Sequence, residues 1–195
     1  MDLGFIELKT LFLIVHLVGL ALGVGGALIS DAMFFKTIRD WRITKTEMGF
    51  LTLGSYAVGL GLLLLVVSGA AMFSLAPEQY LESSKFLAKM TIVGILALNG
   101  VVLHLVQIPH LKDVAETRAS TRIAFLETRP FLLTTGVISV VSWLSALVLG
   151  AFRTIPLSYE VIVGLYAAGL LLALGVAFVI RDLLIPTREQ ATSQA

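Results

Sequence analysis

Residues 48–76 read MGFLTLGSYAVGLGLLLLVVSGAAMFSLA, a run without a single Asp, Glu, Lys or Arg. As a helix it would rise about 1.5 Å per residue and exceed the ~30 Å hydrocarbon core of a bilayer. Four further stretches share this character: about Leu11–Phe35, interrupted by Asp31 alone; Phe86–Leu111, which holds Lys89; and the charge-free segments Phe131–Phe152 and Val161–Ile180. The sequence therefore predicts an all-α integral membrane protein, a bundle of five transmembrane helices over about 10–36, 48–76, 86–111, 130–152 and 158–181. Residues 1–185 form one transmembrane domain and 186–195 a polar tail, expected to be disordered. No internal repeat is evident.

Composition agrees with this reading. Of 195 residues, 57% are hydrophobic and 14% charged, and the mean hydropathy is +0.96. A soluble domain carries about a quarter of its residues as charges. The first stretch is expected to be retained as a helix, because its apolar run exceeds that of a signal peptide and Asp2 and Glu7 stand where a basic leader belongs. The absence of cysteine excludes disulfides, cysteine-ligated iron-sulfur clusters, covalent c-type haem and thiolate nucleophiles. There is no basic tract to suggest nucleic acid, and no phosphate-binding loop, nucleophile elbow or zinc-protease motif.

Ten of the fourteen Lys and Arg fall after the first or third helix or in the tail. Positively charged loops remain cytoplasmic, which predicts an outside N-terminus and a cytoplasmic C-terminus, with a prokaryotic inner (plasma) membrane as the expected setting. Proline punctuates the same layout: Ala76-Pro77 ends the second helix, Pro109 closes the third, and Arg129-Pro130 opens the fourth. The polar link 112–129 reads as a surface helix extension. In the first helix Gly19, Gly23 and Ala27 recur every four residues, a row that lets helices approach closely.

An ionisable side chain within hydrocarbon costs roughly 2.5 to 3.5 kcal/mol on insertion scales, so each is a functional candidate. Four qualify: His16, Asp31, Lys89 and His104. Rise per residue turns position into depth: His16 is about 8 to 9 Å below the outer edge and Lys89 about 5 to 6 Å, so the two share a level with Met90, Ser68 and Ser145. Asp31 and His104 share an inner level with Tyr56 and Thr135. Asn99 lies between, and Thr135, Ser139 and Ser142 make one stripe of the fourth helix. The expected picture is two polar clusters joined by a polar seam. Each group also has a plain packing role: Lys89 reaching for the interface, Asp31 paired with Lys36 or Arg39, and His104 bonded to Asp31 or Tyr56. His110, beside Pro109, is expected at the interface in a structural role.

Three functions fit. A neutral imidazole in an apolar bundle is a ligand for haem b. His16 and His104 are separated by on the order of 15 to 20 Å of depth, so they would not clasp one iron, and either would pair with a Met, Met90 beside His16 or Met33 near His104, or leave a position open. A carboxylate, an imidazole and a file of hydroxyls (Asp31, Tyr56, Asn99, Thr135, Ser139, Ser142) would instead serve ion, proton or small-solute transport, alone or in a homo-oligomer. The third is a non-catalytic membrane subunit docking a membrane redox partner.

His16 followed by Gly19 and the Gly25-Gly26 pair, together with Lys89, Asn99 and His104 along the third helix, resembles the corresponding helices of HemJ-type protoporphyrinogen oxidases and CopD-like copper-resistance membrane proteins. The likeness covers two of five helices. The first family implies a porphyrin-binding oxidoreductase with the positions of His16 as haem ligand and Lys89 in the site; the second implies copper handling. The chain departs from the HemJ-type pattern at Leu20–Ala27, which lacks the aromatic and basic residues of that family. The leading expectation is a haem- or porphyrin-binding redox protein, with His16 as metal ligand, Lys89 and Met90 in the site near the outer half, and His104 as a second candidate ligand.

Overall fold

The computed structural model describes residues 3–40, 45–107, 109 and 121–184. The elements are α1 (Leu3–Asp40), α2 (Lys45–Leu75), a short α3 (Pro77–Leu81), α4 (Ser84–Val102) running on into one π-helical turn (Leu103–Gln107), α5 (Thr121–Ala151) and α6 (Tyr159–Leu184). There is no strand among the described residues. Five helices contain spans long and apolar enough to cross a membrane: Ile6–Met33, Thr46–Leu75, Ser84–Val106, Pro130–Ala151 and Tyr159–Val179. Their outward surface is aliphatic, with Leu98 70%, Leu172 70% and Val179 78% exposed, as a helix bathed in lipid requires. The expected five-helix membrane architecture is thus present. The segments 111–120 and 185–195, which include the polar tail, lie outside the described residues, as does His110.

Small residues fix the packing. α1 and α2 run antiparallel and in contact along their length, because α1 presents Gly19, Gly23 and Gly26 to Gly61 and Gly54 of α2. A Cβ on Gly61 would stand 2.5 Å from the amide nitrogen of Gly23, and one on Gly26 would stand 3.1 Å from the carbonyl oxygen of Gly54. In lipid such backbone proximity gains dispersion contacts that larger side chains would forbid. The second unit is α4, α5 and α6, which share a core of Ala88, Ile92, Leu149, Ile162 and Tyr166. Trp143 of α5, 2% exposed, joins the units by lying against Gly23 with Ala27, Leu65 and Leu96 around it. By contrast α2 and α4 meet only sparsely.

The connections are capped at the face where α1 begins. Pro77 occupies the first turn of α3, and the Ser83 hydroxyl accepts from the amide of Phe86 at 3.3 Å to open α4. Lys85 donates to the carbonyls of Phe152 and Arg153 at 2.7 and 3.2 Å, satisfying acceptors that the end of α5 leaves open. α5 starts at Thr121 and carries Pro130 inside it, whereas the sequence predicts the helix to open at Arg129-Pro130. The ring of Pro130 removes one amide donor. Beyond it, Thr134 and Thr135 donate their hydroxyls to the carbonyls of Pro130 and Phe131, at 2.8 and 2.9 Å.

Gly23→Ala is expected to destabilise the bundle by about 1 to 3 kcal/mol through its clash with Trp143. Gly25→Ala, with open space at its Cβ, should be neutral or stabilising. Equilibrium unfolding in mixed micelles compares the two, and equal effects would contradict this packing.

Candidate functional site: two polar clusters of unlike character

The first cluster lies in the membrane half where α1 begins. His16 of α1 places Nδ1 2.9 Å from the Ser68 hydroxyl of α2 and Nε2 3.3 Å from Nζ of Lys89 on α4. Ser68 is 1% exposed and donates to the carbonyl of Leu64 at 2.5 Å. With Lys89 as the ammonium, which only donates, Nε2 of His16 accepts from it. The proton of the neutral ring then sits on Nδ1 and is donated to Ser68, whose own proton is committed to Leu64. Each ring nitrogen is therefore engaged, and a metal approaching Nε2 would have to displace Lys89. Glycines adjoin the cluster: a Cβ on Gly69 would lie 3.7 Å from Cε1 of His16, and one on Gly150 of α5 would lie 3.9 Å from Nζ of Lys89, both ordinary contact distances. Met90, one residue beyond Lys89, is 42% exposed on the outward side of α4.

The second cluster occupies the opposite half and is open. His104 falls in the π-helical turn, a wide turn often found where a helix must re-aim a functional side chain. Its Nδ1 is 2.9 Å from the Ser55 hydroxyl of α2, and the Tyr56 ring meets it edge-on with centroids 5.8 Å apart. Ser30 lies against Gly54, beside Ser55, which brings the neighbouring Asp31 to the same level. Oδ2 of Asp31 is buried with no hydrogen-bond partner among the described residues. Its other oxygen is 3.9 Å from where a Cβ on Gly136 of α5 would be. Ser30, Asp31, Ser55, Tyr56, His104 and Ser139 are the polar residues lining a cavity of about 1000 Å³; its remaining walls are aliphatic side chains and glycines of α1, α2, α4, α5 and α6.

Between the clusters the polar stripe of α5 divides. Only Ser139 reaches the cavity. Thr135 gives its hydroxyl to the carbonyls of Phe131 and Leu132, and its own carbonyl accepts from the Asn99 side-chain amide at 3.0 Å. Ser142 is fully buried and bonded to the Tyr166 hydroxyl of α6 at 2.9 Å. These bonds lock α4 to α5 and α5 to α6. The structure thus brings His16, Lys89 and Ser68 together in one place, and Asp31, Tyr56 and His104 in another. Among the described residues no three His, Asp or Glu converge as a metal-binding group, a test that a single axial histidine does not need to meet.

Sequence reasoning missed Ser55, Ser30 and Trp143. A serine within an apolar helix usually bonds its own backbone, so the hydroxyl that holds His104 had no distinguishing mark except its place beside Tyr56. Trp143 had a usable signal: a lone indole among small and aliphatic residues at mid-helix needs a glycine opposite.

In a double-mutant cycle, Ser68→Ala and His16→Ala should couple by about 0.6 to 1.7 kcal/mol in unfolding, the range of buried hydrogen bonds within membranes. Additivity within about 0.3 kcal/mol would show that the bond contributes nothing. Comparison of the chain with protein-family models, curated proteins and solved structures gives no match.

Proposed function

We propose that the chain is a membrane-embedded protein that binds haem b or a related porphyrin for redox work, held in the cavity of the Asp31 half with His104 as axial ligand. One observation carries this reading: an imidazole anchored through Nδ1 at the wall of a largely aliphatic cavity of about 1000 Å³. That volume is at the upper end of ligand pockets, as a tetrapyrrole requires. With the Nδ1 proton donated to Ser55, Nε2 carries the lone pair that an iron takes, and the hydroxyl acts as the outer partner that orients a ligating histidine. Tyr56 restrains the ring from its edge. The aliphatic walls suit the apolar faces of such a group, which would supply one-electron chemistry. His16 serves less well, because Lys89 already occupies its Nε2.

Lys and Arg gather in sequence at the face toward which the Asp31 half opens, which supports a cytoplasmic assignment for that face and an outside N-terminus in an inner membrane. A second reading, ion or proton passage, draws on the unpartnered Oδ2 of Asp31. An unpaired buried oxygen is costly, and a passing cation or proton would satisfy it.

An absorption spectrum and pyridine haemochrome assay on protein from haem-replete cells test the first reading. A Soret band is expected, reduced at least tenfold in His104→Ala and largely kept in His16→Ala; a colourless preparation would remove the reading. For the second, Asp31→Asn should abolish cation or proton flux in liposomes without altering assembly, and unchanged flux would assign the carboxylate to packing.

A further inference from the structure

The cavity has a side entrance, and its position says where a ligand comes from. Residues that both line the cavity and are strongly exposed come from two facing strips: Tyr56 and Leu60 of α2, 62% and 51% exposed, and Val101 and Leu105 of α4 and its π turn, 54% and 67% exposed. α2 spends its contacts on α1, and α4 spends its contacts on α5 and α6, so little closes the gap between α2 and α4. Tyr56 is ten residues into the Thr46–Leu75 span, about 15 Å from its end, and Leu60 about 21 Å. On the facing strip Val101 is about 8 Å from the end of the Ser84–Val106 span, so the gap runs from near one edge of a ~30 Å core toward its middle. The gap therefore faces acyl chains, and its rim is aliphatic apart from one tyrosine and His104.

We infer that this cavity is loaded sideways from the bilayer, between α2 and α4, by a lipid-soluble molecule whose apolar body lies along the aliphatic walls and whose hydrogen-bond-donating end meets Asp31. Solutes borne by water are disfavoured at such an entrance because they would shed their hydration in hydrocarbon first. A flat or elongated apolar molecule pays no such cost, and a donor group at its end has the Asp31 side chain on the cavity wall as an acceptor. The inference rests on the cavity being the binding site, and not on the ligand being a porphyrin.

The cysteine-free sequence makes the test clean. Val137→Cys, on the cavity wall formed by α5, carries the only thiol and is labelled with a nitroxide. Collision rates with oxygen, which partitions into lipid, and with a neutral nickel chelate, which stays in water, are then measured in phosphatidylcholine liposomes. Oxygen accessibility is expected within about threefold of that at Leu98→Cys on the lipid face. Nickel accessibility should be as low as at that control, and Leu60→Trp should cut the oxygen value at least threefold by narrowing the entrance. Ala97→Cys, on the α4 wall, provides a second position if the first does not assemble. Nickel accessibility approaching that of Glu82→Cys, at the exposed connection before α4, would overturn the inference by showing a water-filled cavity. Oxygen accessibility more than tenfold below the Leu98 control would overturn it by showing a closed one. A colourless protein with an oxygen-accessible, nickel-shielded cavity would remove the porphyrin and leave the lateral entrance standing.

Discussion

Backbone contact between α1 and α2 is the constraint from which the remaining arrangement follows. With Gly19, Gly23 and Gly26 set against Gly54 and Gly61, the two helices pack as closely as main chains allow. A side chain at any of these contacts would push the axes apart. Because α1 is bound so tightly to α2, its remaining contact surface is narrow, and α5 reaches it chiefly by inserting Trp143 at Gly23. α4 and α6 then gather on α5. What is left between α2 and α4 is a space that no side chain fills along the Asp31 half, and there the cavity lies.

The two polar clusters illustrate opposite ways of carrying polarity through hydrocarbon. In the His16 cluster the donors and acceptors run in one line from Lys89 to the carbonyl of Leu64 and hold α1, α2 and α4 to one another. Such an arrangement specifies packing and leaves nothing for a ligand without first breaking a bond. In the Asp31 cluster the account does not close. His104 is held through Nδ1 by Ser55, and Oδ2 of Asp31 is buried without a partner among the described residues. An unmade hydrogen bond of this kind costs about 1 to 3 kcal/mol, more when the group is charged. Of the buried side-chain atoms left without a partner among the described residues, Ser30 Oγ and Asp31 Oδ2 lie in this half, and Trp143 Nε1 belongs to the side chain packed on Gly23.

The sequence revealed the architecture because lipid imposes a strong rule: a helix must satisfy its own backbone, and so charge-free runs such as 48–76 declare themselves. Depth was legible for the same reason, since rise per residue is nearly constant. His16 and Lys89, 73 positions apart, were set at one level by counting residues, and they stand in contact. What counting along an axis does not supply is the direction in which each side chain points. In its packing role His104 was expected to bond Asp31 or Tyr56, yet its Nδ1 is held by Ser55, the residue before Tyr56 on α2, and the Tyr56 ring meets it edge-on. The stripe Thr135, Ser139, Ser142 looked like one seam, yet Ser142 is taken by Tyr166 of α6 and Thr135 by its own helix. Rotation about each helix axis is set by packing, here by the glycine contacts and Trp143, and a single sequence carries that information only in pairs of positions. The cavity was illegible for a related reason, as it arises from a contact that α2 and α4 do not make.

That sparse contact argues that the opening is a feature of the fold and not an imperfection of packing. Gly59 of α2 and Gly100 of α4 both line the cavity, as do Gly136 of α5 and the alanines Ala173 and Ala177 of α6. With Ala27 of α1, all five long helices thus present small residues to one space, and a Cβ at Gly59 or at Gly100 would meet nothing within 4 Å. Gly19, Gly23, Gly26, Gly54 and Gly61, by contrast, are used up in close helix contact. Here small residues face a void beside a buried carboxylate, where leucine or valine at the same positions would have contributed dispersion contacts and stability. Withheld bulk and a carboxylate oxygen without a partner among the described residues thus meet at one place in the fold, the Asp31 half.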